Sequence, residues 1–199
     1  MKLLTPRKRG PLPKGTAEER VVLAARELFE RRGVAASGVD QIARVADVTK
    51  MTIYGHFGSK DDLIAAVARR ISSDWLTRLA RHVAERGDPR LRIAAVFEFH
   101  ERWMREPGWR GSPLANLAAE LPDPAHPARK AVAEHSLALE RLLERQAAEA
   151  GIARAGELAS ALALLLEGAM ARAQQRGDPE AGGRARVAAA ALVRAAERA

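Results

Sequence analysis

Apolar residues recur every three or four positions through most of the chain, which is the period of an amphipathic α-helix. Glycines and prolines interrupt this pattern and divide it into about nine segments, while alternation typical of strands is nearly absent. The pattern therefore predicts an all-α fold. The predicted helices cover about 17–32, 38–46, 50–57, 60–85, 89–106, 113–121, 126–150, 155–176 and 179–197.

The stretch from residue 37 to residue 60 predicts two short helices joined by a tight turn. Ser37 is expected to N-cap the first helix, with Asp40 in the capping-box position. The turn at Asp47 and Val48 is so short that the two helices must meet at an angle. The first helix has an apolar stripe formed by Val39, Ile42, Ala43 and Ala46.

The second short helix has two different faces. Thr49 is its expected N-cap, and Ile53 with Phe57 forms its buried face. The opposite face contains no acidic residue and carries Met51, Thr52, Tyr54 and Gly55. Such a helix suits the DNA major groove, although a three-helix packing unit without a ligand gives the same pattern.

Several short motifs of this region agree in order and spacing with one known family. They are Phe29 with Gly33, Ile42-Ala43, Val48-Thr49, Ile53-Tyr54, His56-Phe57, and Ser59-Lys60 with Leu63. Over about residues 17–65 the chain resembles the N-terminal domain of TetR-type transcriptional repressors. The resemblance implies a three-helix helix-turn-helix DNA-binding domain followed by a larger helical domain for ligand binding and dimerisation. Members commonly have a bulkier residue than Gly55 at that position.

The candidate DNA contacts divide into two groups. Lys50, Met51 and Thr52 are placed to meet base edges. Phosphate contacts are expected from Ser37, Arg44, Tyr54 and Lys60, and the full candidate set adds Thr49 and His56. Ser59 is expected to cap the helix that begins at Lys60, with Asp62 in the third position.

We expect three segments along the chain: a disordered basic arm at 1–15, the helix-turn-helix domain at 16–59, and the ligand-binding and dimerisation domain at 60–199. The arm could lie in the DNA minor groove or be a solvated tail. The helices at 155–176 and 179–197 are rich in small residues. They could form a four-helix homodimer interface or pack on the preceding helices, and we favour the homodimer.

A ligand pocket is the second candidate site. Aromatic residues and methionine with a few polar groups are typical of small-molecule pockets, although an ordinary core has the same composition. The resemblance implies an inducer pocket in the ligand-binding and dimerisation domain. The candidate lining residues are Phe97, His100, Trp103, Met104, Trp109, Asn116, Glu120 and His135.

Composition narrows the function further. The net charge of +8 favours a polyanionic partner, although a GC-rich genome also encodes much arginine. The absence of cysteine excludes disulfides and thiolate catalysis and fits the reducing cytoplasm, where we expect the protein. No segment approaches the about 20 apolar residues of a membrane span, so no membrane partner is expected.

Known catalytic and metal-binding motifs are missing from the sequence, so we expect no enzyme, no cofactor and no metal site. The sequence instead predicts a sequence-specific DNA-binding transcriptional regulator, most simply a repressor that a small-molecule inducer releases from its double-stranded operator. Two alternatives stay open. One is a helical small-molecule-binding protein or enzyme with a structural N-terminal unit, and the other is an architectural DNA binder without an inducer.

Overall fold

The computed structural model describes residues 15–198, and over these residues the chain forms nine α-helices and no β-strand. The all-α prediction is therefore confirmed. The helices are α1 (Ala17–Arg32), α2 (Val39–Ala46), α3 (Lys50–Phe57), α4 (Lys60–Ala84), α5 (Pro89–Met104), α6 (Pro113–Ala119), α7 (Pro127–Glu149), α8 (Ala155–Arg176) and α9 (Ala181–Ala196).

Local capping explains where several helices begin. At α1, the Thr16 hydroxyl accepts the Glu19 N–H at 3.2 Å, and the Glu19 carboxylate accepts the Thr16 N–H at 2.9 Å. At α4, the Ser59 hydroxyl accepts the Asp62 N–H at 3.0 Å. Each bond satisfies a backbone donor that the first turn of a helix leaves without an intrahelical partner.

The described chain divides into two compact units. The N-terminal unit comprises residues 15–73 and 113–134, so α6 and the first residues of α7 belong with α1–α3 and the first half of α4. Its core contains Ile42, Ile53 and Leu63, which are fully buried. Leu114, Leu117 and Leu121 join the same core from the α6 segment.

The C-terminal unit comprises residues 74–112 and 135–198. Its core is formed by apolar side chains of α4, α5, α7, α8 and α9. One side of α4 is buried in both units, at Leu63, Val67, Ile71, Trp75 and Leu79. Within residues 15–198, no helix has the length and apolar character that crossing a bilayer requires.

The compact units do not coincide with the segments expected from the sequence. The expected boundary lay at residue 60, whereas the units divide α4 between Ser73 and Asp74. The expected segments are functional ones, and they stay a prediction. Of the expected basic arm, residues 1–14 lie outside the described residues.

Candidate nucleic-acid interface

The turn between α2 and α3 is fixed by backbone geometry and by one arginine of α1. Asp47 ends α2 in the left-handed conformation with φ 53°, which reverses the chain within two residues. The Arg20 guanidinium donates from Nε to the Ala46 carbonyl at 3.1 Å and from Nη2 to the Asp47 carbonyl at 3.3 Å. Arg20 thus holds the carbonyls that the end of α2 leaves open, and it helps to set the direction of α3.

α3 is oriented by one buried residue and by caps at both ends. Ile53 is fully buried, and Phe57 is half-buried against the same core. The Thr49 hydroxyl accepts the Thr52 N–H at 3.1 Å, which confirms the expected N-cap. Gly58 follows the helix with φ 74° and donates its N–H to the Tyr54 carbonyl at 2.9 Å. The opposite face is therefore held outward.

The outward face of α3 consists of residues with very different surroundings. Met51 is 85% exposed and Tyr54 is 43% exposed. A Cβ built on Gly55 would meet no atom within 4 Å, so the backbone there faces open space. His56 and Thr49 are exposed, whereas Thr52 is half-buried and its hydroxyl lies 2.8 Å from the Thr49 hydroxyl.

One acidic residue lies beside this face, which sequence reasoning missed. The Lys50 ammonium is 2.8 Å from a carboxylate oxygen of Asp40 on α2. The hydrogen bond to Asp40 and its negative charge raise the pKa of Lys50. Lys50, expected at base edges, is therefore paired within the protein in this structure. Periodicity had placed Asp40 only as a capping residue of α2.

The expected cap at Ser37 is wrong. The N-cap of α2 is Gly38, and no side chain caps this helix. Ser37 is fully buried, and its hydroxyl donates to the Gly33 carbonyl at 2.7 Å. A capping hydroxyl must point toward the first N–H groups of its helix, whereas this one points back to the end of α1. Its hydroxyl therefore does not lie on the surface.

Lys60 and Glu120 both bind the backbone of Val34, in the loop after α1. The Lys60 ammonium donates to the Val34 carbonyl at 3.1 Å. The Glu120 carboxylate accepts the Val34 N–H at 2.6 Å and the Ala35 N–H at 3.3 Å. The loop between α1 and α2 is thus tied to the start of α4 and to the end of α6. Arg44, by contrast, is exposed near the end of α2.

The expected pocket residues of α5 form a buried aromatic cluster. Phe97, His100, Trp103 and Met104 are each at most 5% exposed. The Trp75 ring of α4 lies 4.1 Å from the Trp103 ring and 5.4 Å from the His100 ring, measured between centroids. The Trp109 ring contacts Trp103 edge-on at 5.7 Å. These contacts are those of a packed aromatic core.

His100 of this cluster and His135 of α7 are both held neutral. Burial lowers the pKa of His100 to about 4, and burial also lowers the pKa of His135 to about 4. His100 Nδ1 lies 2.8 Å from the Val96 carbonyl, so Nδ1 carries the proton and donates it. The two other expected pocket residues, Asn116 and Glu120, belong to the N-terminal unit.

Comparisons with known proteins decide the family. Residues 21–67 match the family of bacterial regulatory proteins named tetR, and residues 89–189 match the tetracyclin repressor-like C-terminal domain. The chain belongs to the TetR family. It is therefore a DNA-binding transcriptional regulator, and the expected helix-turn-helix resemblance is confirmed.

The relatives of this TetR-family chain include a named repressor and a named activator. The HTH-type transcriptional repressor Rv3405c of Mycobacterium tuberculosis is 32% identical over 68% of this chain and 76% of its own length. The HTH-type transcriptional activator FasR of Mycolicibacterium smegmatis is 34% identical over 44% of this chain, and that match spans only 40% of FasR. Transcriptional regulators are not enzymes as a class.

The solved structure of SCO4454, a TetR-family transcriptional regulator from Streptomyces coelicolor, has the same fold. It superimposes with a TM-score of 0.81 at 29% identity, covering 90% of this chain and 95% of that one. The expected fold class thus holds along nearly the whole chain.

Proposed function

We propose that this TetR-family regulator is a homodimeric repressor that a small-molecule ligand releases from a double-stranded DNA operator. The observation that carries the proposal is the α3 helix, which buries Ile53 and leaves an acid-free face in solvent. The second helix of a helix-turn-helix enters the major groove, where its first residues contact base edges. Lys50, Met51 and Thr52 are the proposed base contacts.

The proposed phosphate contacts surround α3. Arg44, Thr49, Tyr54 and His56 are exposed around or on this helix, and Lys60 follows it at the start of α4. Phosphate contacts supply affinity and salt dependence, while base contacts supply sequence preference. Ser37 is left out of this set because its hydroxyl is buried and bonded to Gly33.

Exposed apolar side chains on the last two helices support the proposed homodimer. Leu164 of α8 is 68% exposed, and Val187 of α9 is 64% exposed. Large apolar side chains gain about 1.5–3 kcal/mol each when they are fully buried, so a second copy is a favourable cover. A two-fold dimer would set its two α3 helices about 34–36 Å apart, one turn of DNA.

The aromatic cluster supports a ligand of low charge. Trp103, Trp109 and Phe97 contribute apolar side chains to the cluster, and His100 and His135 are neutral at physiological pH. An uncharged or aromatic molecule would match this lining better than an ion. The ligand releases the protein from the operator if it binds more tightly to a dimer whose α3 helices no longer fit successive major grooves. α4, which contributes to both units, is the proposed connection.

Repression rather than activation is proposed because the relative named a repressor matches over most of its length, whereas the activator matches over 40% of its length. Because the protein must reach its proposed DNA operator, the cytoplasm is its proposed location. No cofactor, metal or catalytic step is part of the proposal.

Binding to fluorescent genomic fragments, measured by anisotropy over a salt series, tests the proposal. We expect nanomolar binding to a two-fold related site, with affinity that falls steeply as salt increases. Arg44→Ala should weaken binding to every sequence and reduce the salt slope by about 1. If no fragment binds and a small molecule is turned over instead, the protein is an enzyme with a structural N-terminal unit.

A further inference from the structure

Met51 is the most exposed large hydrophobic side chain within residues 15–198. Its exposed fraction is 85%, compared with 68% for Leu164, the next in order. The residue lies in the first turn of α3, two positions before the fully buried Ile53. Its side chain therefore contributes almost nothing to the core, and its solvent-exposed apolar surface is available to a partner.

The chemistry of the side chain limits what that partner surface can be. A thioether has no hydrogen-bond donor and only a weak acceptor, so Met51 cannot read the polar edges of bases as arginine or asparagine do. In the major groove, thymine presents a C5-methyl group, which is the apolar feature that side chains contact directly. A helix whose first residues meet base edges would bring Met51 to that group.

The neighbours of Met51 leave room for this contact. Gly55 lies one helical turn further on the same face, and a Cβ placed there would meet no atom within 4 Å. Bare backbone at Gly55 permits a close approach of α3 to the groove floor. Lys50, the preceding polar side chain, is drawn toward Asp40 on α2. Met51 is thus the most exposed large apolar side chain on this face.

We propose that Met51 reads the C5-methyl group of one thymine in each operator half-site, an inference that rests on the proposed DNA-binding function. The contact would give the protein a preference for thymine at that position through apolar packing alone. Uracil, which pairs identically but lacks the methyl group, would not satisfy it.

Deoxyuridine scanning of the operator tests the contact. Each thymine of a bound fragment is replaced in turn by deoxyuridine, and the affinities of the wild-type protein and of Met51→Ala are measured. For the wild type, we expect a loss of roughly fourfold at one thymine in each half-site. For Met51→Ala, the unsubstituted operator should bind more weakly, with no further loss at that thymine.

Matched variants separate this contact from general effects. Met51→Leu, which keeps an apolar side chain of similar size, should retain the methyl dependence. Leu91→Ala removes another exposed apolar side chain, 54% exposed on α5, and should leave the scan as in the wild type. Circular dichroism of Met51→Ala should match the wild type because alanine is a strong helix former.

The inference and the proposed function fail in different ways. Operator binding that is indifferent to every thymine methyl group, or equally dependent on one in Met51→Ala, overturns the inference alone. Absence of salt-dependent binding to any genomic fragment overturns the proposed function and this inference together.

Discussion

Individual side chains on the outward face of α3 are bonded to other residues of the protein. Lys50 is paired with Asp40 at 2.8 Å, and the Thr52 hydroxyl lies 2.8 Å from that of Thr49. To bind Lys50 or Thr52, a base or phosphate must form a more favourable interaction than Asp40 or Thr49 already provides. Residue type and position on the helix predicted which side chains face outward, but not which of them are already bonded.

The Asp40→Asn variant tests the cost of the acid beside α3. Removing the carboxylate frees Lys50 and removes a negative charge that would face phosphates, so DNA should bind more tightly and with a steeper salt dependence. Thermal stability should barely change, since both side chains are well exposed. The measurement is operator affinity over a salt series. In a Lys50→Ala background, the gain from Asp40→Asn should shrink; an equal gain would show that the pair is irrelevant to binding.

His100, which is buried, and His135, which is half-buried, predict how stability depends on pH. Both have a folded-state pKa of about 4, below the ordinary value of 6.5. As the pH falls below 6.5, the unfolded chain takes up protons that the folded chain refuses, so the free energy of unfolding decreases. The decrease is at most about 1.4 kcal/mol per pH unit for each histidine.

Urea unfolding between neutral pH and about pH 5 measures this effect above the range in which most carboxylates titrate. His135→Gln should reduce this slope because one imidazole with a lowered pKa is removed, while His100 and His82, whose pKa burial also lowers, continue to contribute. A free energy of unfolding that stays constant over this interval would contradict the lowered pKa of the two imidazoles.

At the scale of helices, the packing of α9 on α5 depends on a glycine. A Cβ at Gly182 would lie 2.9 Å from the Glu101 Cα and 2.7 Å from the Met104 methyl group. The Arg186 guanidinium donates to the Glu101 carboxylate at 2.9 Å one turn further along α9. The close approach of the two backbones and a partly buried ion pair thus hold α9 against α5.

Gly182→Ala should lower the free energy of unfolding by about 1–3 kcal/mol, because the new methyl group would force α9 away from α5. Gly55→Ala is the matched control for stability, since its Cβ meets open space. It should stabilise the fold by about 0.5–1 kcal/mol while weakening DNA binding, because the methyl group fills the space that close approach needs. Urea unfolding at constant protomer concentration measures the free energy of unfolding of both variants. If the two variants lose similar amounts of this free energy, packing of α9 on α5 is not the cause.

At the scale of the whole molecule, the proposed homodimer predicts that charges on α8 and α9 separate the protomers. In the variant that combines Leu164→Glu with Val187→Glu, two mostly exposed apolar residues become acidic. The isolated protomer should tolerate them, whereas an interface would bring like charges together. Sedimentation analysis should show a monomer, and operator affinity should fall because two half-sites no longer bind as one unit.

Leu91→Glu is the control, since Leu91 is 54% exposed on α5, outside the last two helices. It should leave the sedimentation of the protein unchanged. If the double variant also sediments like the wild type, the proposed interface is elsewhere.

The amino-acid sequence alone was enough to predict the nine helices found within residues 15–198, the turn after α2 and the division of α3 into an inward and an outward face. These features depend on caps, glycines and apolar spacing within a few residues of each other, so a local pattern specifies them. Thr49, Ile53 and Gly58 illustrate this, because their roles follow from their immediate neighbours.

The pairing of polar groups, by contrast, depends on how distant parts of the chain pack together. Glu120 was expected in a pocket, yet it accepts the Val34 N–H from 86 residues away, and Lys60 donates to the Val34 carbonyl from 26 residues away. Ser37 turns its hydroxyl to Gly33 instead of capping α2. Such partners are set by how helices pack, and the free energy of a buried hydrogen bond depends on that packing and not on local spacing.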